Sequence, residues 1–92
     1  MVQNPEPITL EIKNVKGLHA RAAAKFVRCA SQFRAEVRVA KDANEVDGTS
    51  IMGLLMLAAS KGTEIHISAT GIEAEPALAA IKDLIEGRFD EE

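Results

Sequence analysis

Three short segments of the chain alternate between apolar and polar residues, and this pattern limits the folds that the chain can adopt. The segments are 8–12, 35–40 and 64–69. Because successive side chains of a β-strand point to opposite faces, each segment would present one apolar and one polar face. Such strands are typical of antiparallel sheets that have one side against a core and the other in water. A fourth, shorter strand is predicted at 45–47, after the turn residues 41–44.

Helical periodicity fills the intervals between these strands. Residues 19–32 carry apolar side chains at three- and four-residue spacing, and residues 51–59 form a second apolar run. A third helix is predicted to begin near Pro76 and to end at Gly87. The resulting order is strand, helix, strand, strand, helix, strand, helix. Three helices that cover one face of a four-stranded, mostly antiparallel sheet form a two-layer α+β fold, and we expect residues 1–92 to be a single domain.

The composition argues against several classes of protein. The net charge is -3, and the chain has no basic stripe with interleaved aromatic residues, which argues against nucleic-acid binding. Cys29 is the only cysteine, so we expect neither an intrachain disulfide nor a cysteine metal site. Residues 1–7 lack the pattern of a signal peptide, and no apolar stretch has the length for membrane insertion. A cytoplasmic protein without metal or cofactor is the simplest expectation.

The strongest candidate for chemistry lies where the first predicted helix begins. Gly17 interrupts the chain there, His19 stands at the start of the helix, and Arg21 lies two residues further on. The first backbone N–H groups of a helix have no helical partner, and with the positive end of the helix dipole they form an anion site. A histidine there combines a nucleophile with a place for phosphate oxygens, which an arginine also binds. The alternative is that His19 is only a cap or a surface residue.

The second predicted helix is apolar on nearly every side. Ser50 is the first candidate for its N-cap, with Thr49 as the competitor, and Gly62 is predicted to end it. A helix with one buried face needs only an apolar stripe, so part of this surface is either exposed for contact or buried in the core. The residues concerned are Ile51, Met52 and Leu55. Periodicity alone leaves both alternatives open.

His66 and the acidic residues give weaker signals. His66 lies on the polar face of its strand, and two histidines do not make a metal site, so we interpret it as a solvated residue. Paired carboxylates, a glycine-rich phosphate loop and a Ser/His/Asp arrangement do not stand out. Residues 88–92 are expected to form a mobile acidic tail in which only Phe89 is fixed.

Two segments carry the motifs of a known family. They are Gly17-Leu18-His19-Ala20-Arg21 and Thr49-Ser50-Ile51-Met52-Gly53. The first resembles the active-site motif, and the second the regulatory-serine segment, of the histidine-containing phosphocarrier (HPr) family of the bacterial phosphoenolpyruvate-dependent phosphotransferase system. The resemblance extends from Ile8 to the last helix. It implies an HPr-like open-faced sandwich of four strands under three helices.

The resemblance implies a protein that carries a phosphoryl group and is not itself an enzyme. Enzyme I, phosphorylated by phosphoenolpyruvate, would transfer the group to Nδ1 of His19, and a histidine of an enzyme IIA protein would then receive it. Arg21 and the N–H groups near Ala20 and Arg21 would bind the phosphate. The apolar docking surface for both partners is matched by Ala20, Ala24, Ile51, Met52 and Leu55. For the short helix the resemblance thus favours exposure, and we expect the carrier to be a monomer.

Ser50 matches the serine that a dedicated HPr kinase/phosphorylase modifies in part of the family. A phosphate on Ser50 would meet the helix N-terminus favourably but would place charge inside an apolar interface. We therefore predict weaker docking to enzyme I with little change of fold. The alternative, that Ser50 is only a helix cap, stays open.

The chain departs from the family pattern at Ala22, where proline is usual. Proline presets φ for a first helical turn and removes one donor, whereas alanine keeps the helix and returns an N–H to the site. We expect the function to persist with Ala22 in this position.

Two further segments concern the branch of the family. Residues 54–62 and 89–92 resemble the nitrogen-related branch (NPr), whose acceptor is a regulatory enzyme IIA. This resemblance favours a regulatory phosphotransfer chain, with carbohydrate transport as the alternative. A further alternative is a regulatory protein-binding module that acts mainly by contact, and the presence of His19 argues against a pure form of it.

Overall fold

The computed structural model describes residues 4–91, and its elements follow the predicted order. The strands are β1 (Ile8–Glu11), β2 (Glu36–Lys41), β3 (Asn44–Asp47) and β4 (Glu64–Thr70). The helices are α1 (Ala20–Ala30), α2 (Ile51–Met56) and α3 (Ala74–Glu86), and a short turn follows at Arg88–Asp90. Residues 1–3, and residue 92 of the predicted acidic tail, lie outside the description. Within it, every helix falls short of the length and apolar character that spanning a bilayer requires.

The four strands form one sheet in the order β1-β4-β2-β3, and every pairing is antiparallel. In the centre, β4 pairs with β1 through Ile65 opposite Leu10 and with β2 through Ile67 opposite Val39. The strands β2 and β3, which follow one another in the sequence, form a hairpin. The other connections run through α1 and α2, which explains why helices cover the sheet. The predicted two-layer α+β fold is confirmed.

The sheet and the helices share one apolar core. The inward residues Val39, Ile65 and Ile67 are buried, together with Phe26 of α1 and Ile81 of α3. Fully burying a side chain of this size contributes roughly 1.5–3 kcal/mol. Apart from Phe26 and Phe89, the core side chains are aliphatic. This agrees with the sequence, which has only three aromatic residues.

The end of α2 differs from the prediction. The helix ends at Met56 with Leu57 as its C-cap, and Gly62 lies beyond it in the turn before β4. Ala58 adopts the left-handed conformation instead, with φ 52°. Nζ of Lys41 donates to the carbonyl oxygens of Leu57 at 3.1 Å and Ala58 at 3.3 Å. These contacts satisfy carbonyl groups at the helix end, and they come from a residue distant in sequence.

The acidic segment after α3 contradicts the prediction of a mobile tail. Phe89 is fully buried, as expected, and its carbonyl oxygen accepts from Nζ of Lys25 at 2.6 Å. Arg88, Phe89 and Asp90 all have positive φ, between 55° and 60°, which costs L-residues roughly 1–2 kcal/mol each. The chain then brings Glu91 back to the start of α1. The described part of this segment is thus held by contacts beyond Phe89, as far as Glu91.

Candidate functional site

His19 is the N-cap of α1 and has an extended backbone, with φ −84° and ψ −177°. Its carbonyl oxygen accepts the first helical hydrogen bond, from the N–H of Ala23 at 2.8 Å. Within residues 4–91, no partner is found for the N–H groups of Ala20, Arg21 and Ala22. The first turn contains no acidic residue, so these donors and the helix dipole are available to an anion. The N–H of Ala22 is the donor that a proline would lack.

Gly17 gives the loop before His19 its shape. Its φ of 68° lies in the left-handed region, which glycine adopts readily. A Cβ at this position would lie 2.6 Å from the carbonyl oxygen of Ala59 and 2.8 Å from Cα of Ser60. The N–H of Leu18 donates to the same carbonyl of Ala59 at 2.8 Å. The loop therefore packs backbone against backbone, and this close approach positions His19.

The ring of His19 contacts a residue that the sequence analysis did not identify. Nε2 lies 2.7 Å from Oε2 of Glu91, and the His19 side chain is 25% exposed. Asn14, which is fully buried, donates from Nδ2 to the carbonyl oxygen of Gly17 at 2.7 Å and to Oε1 of Glu91 at 3.0 Å. The hydrogen bond from Asn14 is the main cause that lowers the pKa of Glu91 below its ordinary 4.5, with smaller contributions from His19 and Lys25. Glu91 is accordingly a carboxylate at neutral pH.

The contact with Glu91 determines which ring nitrogen of His19 is available. A carboxylate only accepts hydrogen bonds, so in the neutral ring Nε2 carries the proton and donates it. Nδ1 then bears the lone pair, and we find no partner for Nδ1 in the described part of the chain. This arrangement makes Nδ1 the potential nucleophile.

Arg21 lies next to this site in a charged cleft of about 380 Å³. The cleft is lined by Val15, Lys16, Arg21, Lys25, Asp90 and Glu91. The Arg21 side chain is exposed, and among residues 4–91 its guanidinium makes no hydrogen bond or ion pair, so the structure shows no contact between it and His19. It is free to bind an incoming anion beside the helix N-terminus.

Ser50 is the N-cap of α2, as predicted. Its Oγ accepts from the N–H of Gly53 at 2.9 Å. The competing candidate Thr49 instead donates its hydroxyl to Oδ1 of Asp47 at 2.6 Å. The pKa of Asp47 is lowered by this side-chain hydrogen bond and by the one from the N–H of Thr49.

The predicted docking residues differ in exposure. Ile51 and Met52 are 42% and 68% exposed, whereas Leu55 is half-buried against the core. On α1, which packs against α2, Ala20 is exposed and Ala24 is half-buried. Among the described residues, three further large apolar side chains are exposed: Val15, Met56 and Ile72. The apolar run of α2 therefore does leave a surface exposed, which the resemblance implied and periodicity left open.

The remaining candidates agree with the simpler interpretations. His66 is exposed on β4, with Nδ1 2.8 Å from Oγ1 of Thr9. Cys29 is half-buried, and burial raises the pKa of its thiol, which is typical of a boundary residue rather than a reactive one. In residues 4–91 there is no group of three or more His, Cys, Asp and Glu side chains that could hold a metal.

Asn14 and Glu91 were missed because nothing local identifies them. Asparagine is common in loops, and an acidic run after a helix resembles a solvated tail. The two residues are 77 positions apart, and only the fold brings them together. One feature of the sequence could have pointed to Glu91. Phe89 is a large apolar residue, and its burial requires the chain to return to the core just before Glu91.

Comparison with known proteins identifies the family. The model of the family described as the PTS HPr component phosphorylation site matches residues 7–87. This chain belongs to the HPr family. The phosphocarrier protein HPr of Neisseria meningitidis is 52% identical over 83 residues, which cover 90% of this chain and 93% of that protein. The phosphocarrier protein NPr of Escherichia coli is 42% identical over 85 residues, which cover 91% of this chain and 94% of the relative.

A solved HPr structure confirms the fold. The crystal structure of HPr-C-His from Thermoanaerobacter tengcongensis has a TM-score of 0.91 to this chain at 46% identity, and the match covers 96% of this chain and 99% of the other. The resemblance inferred from the two sequence motifs is therefore confirmed. This HPr-family chain is a phosphocarrier of the phosphotransferase system, a carrier rather than an enzyme. Its relatives include proteins named HPr and proteins named NPr, so membership alone does not select the branch.

Proposed function

We propose that His19 is the phosphorylated residue of this carrier. Nδ1 would accept the phosphoryl group from enzyme I and pass it to a histidine of an enzyme IIA protein. The observation that carries the proposal is the state of the ring: Nε2 contacts Glu91, while Nδ1 has no partner among the described residues and stands at the N-terminus of α1. The alternative of a merely structural N-cap is disfavoured, because the His19 side chain makes no capping hydrogen bond.

The transfer needs no further reacting group on this chain. The lone pair of Nδ1 forms the N–P bond as the bond between phosphorus and enzyme I breaks, and the electron pair of that bond stays on enzyme I. In the second transfer the N–P bond breaks and its electron pair returns to Nδ1. Reactions of this kind depend mainly on positioning and on charge stabilisation.

The phosphate oxygens would be bound by backbone and arginine donors. The N–H groups of Ala20 and Arg21 are without partners within residues 4–91, and the Arg21 guanidinium is exposed in the adjacent cleft. Helix N-termini and guanidinium groups both favour phosphate. The structure holds the histidine in place, whereas Arg21 would move onto the phosphate when it arrives.

The exposed apolar surface of α1 and α2 is the proposed docking site for both partners. Ala20, Ile51 and Met52 are exposed on these adjacent helices, with the half-buried Ala24 and Leu55 among them. An exposed apolar patch on a small protein is typical of an interaction surface. A shared surface would let the monomeric, single-domain carrier bind enzyme I and enzyme IIA in turn in the cytoplasm.

We place the chain in the regulatory, nitrogen-type branch. The runs 54–62 and 89–92 resemble that branch, and an NPr protein is among the relatives at 42% identity. A carbohydrate-transport HPr is the second candidate, because HPr of Neisseria meningitidis is 52% identical. The acceptor enzyme IIA distinguishes the two.

Ser50 is the proposed regulatory site. Its hydroxyl caps α2 directly beside the exposed Ile51 and Met52. A kinase of the HPr kinase/phosphorylase type would add a doubly charged group there, next to the docking surface. Phosphorylation of Ser50 would thus weaken docking without unfolding the helix.

The carrier proposal is tested by phosphorylation in a purified system. The protein is mixed with enzyme I and phosphoenolpyruvate, and its intact mass and the acid and base lability of the product are measured. We expect one added phosphate that survives alkali and is lost in acid. His19→Ala should abolish it, and His66→Ala, the matched control at the other histidine, should not.

Two outcomes contradict the proposal. A phosphate found on the His19→Ala variant would show that a residue other than His19 is phosphorylated. No phosphate on the wild-type protein, with enzyme I active on a known carrier, would instead favour a regulator that acts by contact. A second experiment tests the branch assignment. The phosphorylated carrier is mixed with equal amounts of a nitrogen-type and a sugar-type enzyme IIA, and the rate of phosphoryl transfer to each is measured. Faster transfer to the sugar-type protein would overturn the branch assignment.

A further inference from the structure

We infer that Glu91 is a positioning residue for phosphoryl transfer, one that fixes His19 in the tautomer with a free Nδ1. The inference rests on the proposed function and assigns a role to a segment that follows the last helix. Oε2 of Glu91 lies 2.7 Å from Nε2 of His19, and the Glu91 side chain is only 15% exposed. The contact is therefore largely shielded from water, which strengthens a charge-assisted hydrogen bond.

Three interactions hold Glu91 in place. Asn14 donates to its other carboxylate oxygen at 3.0 Å, and the same amide group donates to the carbonyl of Gly17. Phe89, two residues earlier, is fully buried, and Lys25 donates to its carbonyl at 2.6 Å. The backbone between them stays in the unfavourable left-handed conformation. A strained segment persists only when its surroundings fix it, and such segments are common at functional sites.

The proton on Nε2 stays in one place throughout the proposed cycle. When Nδ1 of His19 bonds to phosphorus, the ring becomes an imidazolium that still carries the Nε2 proton. The Glu91 carboxylate accepts that hydrogen bond and offsets the positive charge of the ring. When the phosphoryl group leaves, the electron pair of the N–P bond returns to Nδ1 and the starting tautomer is restored. A carboxylate that orients a histidine through its other nitrogen is the arrangement of hydrolytic triads.

The arrangement also explains how a carboxylate is tolerated beside a phosphate site. Lys16, Arg21 and Lys25 line the same cleft as Glu91. These cations outnumber the two carboxylates of the cleft, so the local charge still favours a phosphoryl group. Glu91 acts on the ring from the side opposite to the reacting nitrogen.

Glu91→Gln is the decisive substitution. Asn14 offers a donor to one end of the side chain, so the carbonyl oxygen of glutamine should face Asn14 and its NH₂ group should face His19. An NH₂ donor needs a lone pair on Nε2, which places the ring proton on Nδ1 and removes the nucleophile. Glu91→Ala only deletes the acceptor. The glutamine variant should therefore be the slower of the two, although it is closer in shape to the native residue.

The experiment measures the tautomer and the transfer rate together. Ring nitrogen chemical shifts of His19, recorded at about pH 8 where ordinary histidines are neutral, should show a proton on Nε2 in the wild type and on Nδ1 in Glu91→Gln. The rate of phosphorylation by enzyme I should fall about fivefold in Glu91→Ala and more than about tenfold in Glu91→Gln. Glu86→Gln, the same change at an exposed position of α3, should match the wild type.

Two results would overturn the inference: a wild-type ring with its proton on Nδ1, or a Glu91→Gln variant with wild-type tautomer and rate. Neither would affect the carrier proposal, which fails only if wild-type His19 is not phosphorylated. Conversely, the ring nitrogen chemical shifts of His19 in the unphosphorylated protein test whether Glu91 fixes the tautomer, even if no phosphoryl transfer occurs.

Discussion

The ammonium group of Lys41 donates to the carbonyl oxygen of Leu57 at 3.1 Å and so joins the β2–β3 hairpin to the end of α2. The same group reaches the carbonyl of Ala58 at 3.3 Å. Lys41→Met keeps an unbranched side chain of nearly the same length and removes both hydrogen bonds. We expect a loss of about 1 kcal/mol in the free energy of unfolding, measured by urea denaturation. Lys61→Met, at an exposed lysine, should change stability far less, and equal losses in the two variants would contradict this role.

Gly17 lies close to the backbone of Ala59 and Ser60, after the end of α2, and this close approach predicts the effect of substitutions at Gly17 on stability. Gly17→Ala should destabilise the protein by more than about 2 kcal/mol, because the left-handed backbone disfavours alanine and the new Cβ would meet Ala59 and Ser60. Gly62→Ala is the matched control, since Gly62 also has positive φ, at 90°, but its Cβ would enter open space. That variant should lose only about 1 kcal/mol. Similar losses in thermal unfolding would show that backbone strain, and not the close approach, matters at Gly17.

Ala22 allows the departure from the family motif to be tested directly. Its N–H has no partner within residues 4–91, so Ala22→Pro removes no protein hydrogen bond. We expect stability within about 1 kcal/mol of the wild type and phosphorylation of His19 within about threefold, because the donors at Ala20 and Arg21 remain. Ala23→Pro removes the first helical hydrogen bond, to His19, and should cost about 3 kcal/mol. A large loss of transfer in a well-folded Ala22→Pro would instead identify the Ala22 N–H as a phosphate donor.

The parts of the structure that the sequence predicted are those that depend on local pattern. Alternation at 8–12, 35–40 and 64–69 gave the strands because one face of the sheet is buried and the other is wet. The cap role of Ser50 and the place of His19 followed from the chemistry of helix starts. Each of these depends on neighbours a few residues away.

The parts that were missed depend on contacts between distant residues. The early end of α2 accompanies a contact with Lys41, 16 positions before Leu57. The position of Glu91 depends on Asn14 and His19, which are 77 and 72 positions away. An acidic run has no property of its own that distinguishes a solvated tail from a residue aimed at a histidine. Such contacts arise only once the core has formed.

Ser50 combines a structural and a proposed regulatory role, and substitutions separate them. Ser50→Ala removes the acceptor for the N–H of Gly53 and should cost about 1 kcal/mol. Ser50→Asn and Ser50→Asp keep an acceptor and should retain stability, but only aspartate adds charge beside Ile51 and Met52. We therefore expect Ser50→Asp to bind enzyme I more weakly than Ser50→Asn, measured by calorimetry. Equal affinities would contradict the location of the docking surface.

The contact between Glu91 and His19 should be lost in acid. The pKa of Glu91 is lowered below its ordinary 4.5, mainly by the hydrogen bond from Asn14. A lowered folded-state pKa means that the contact contributes stability above about pH 4.5 and loses it as the pH falls through the folded value. We expect the carboxyl carbon of Glu91 to titrate below 4.5, observed by NMR, with the amide signals of residues 88–91 shifting at the same midpoint.

Removing Asn14 tests the cause of this pKa shift. Asn14→Ala deletes the main hydrogen bond to the carboxylate, so the Glu91 midpoint should rise towards its ordinary value. Because Asn14 also donates to the carbonyl of Gly17, the variant is first compared with the wild type by amide spectra, which should change only near the loop and residues 88–91. A midpoint that stays low in a folded Asn14→Ala protein would assign the shift to His19 and Lys25 instead. An unshifted midpoint in the wild type would mean that the carboxylate accepts neither the hydrogen bond from Asn14 nor that from His19 in solution.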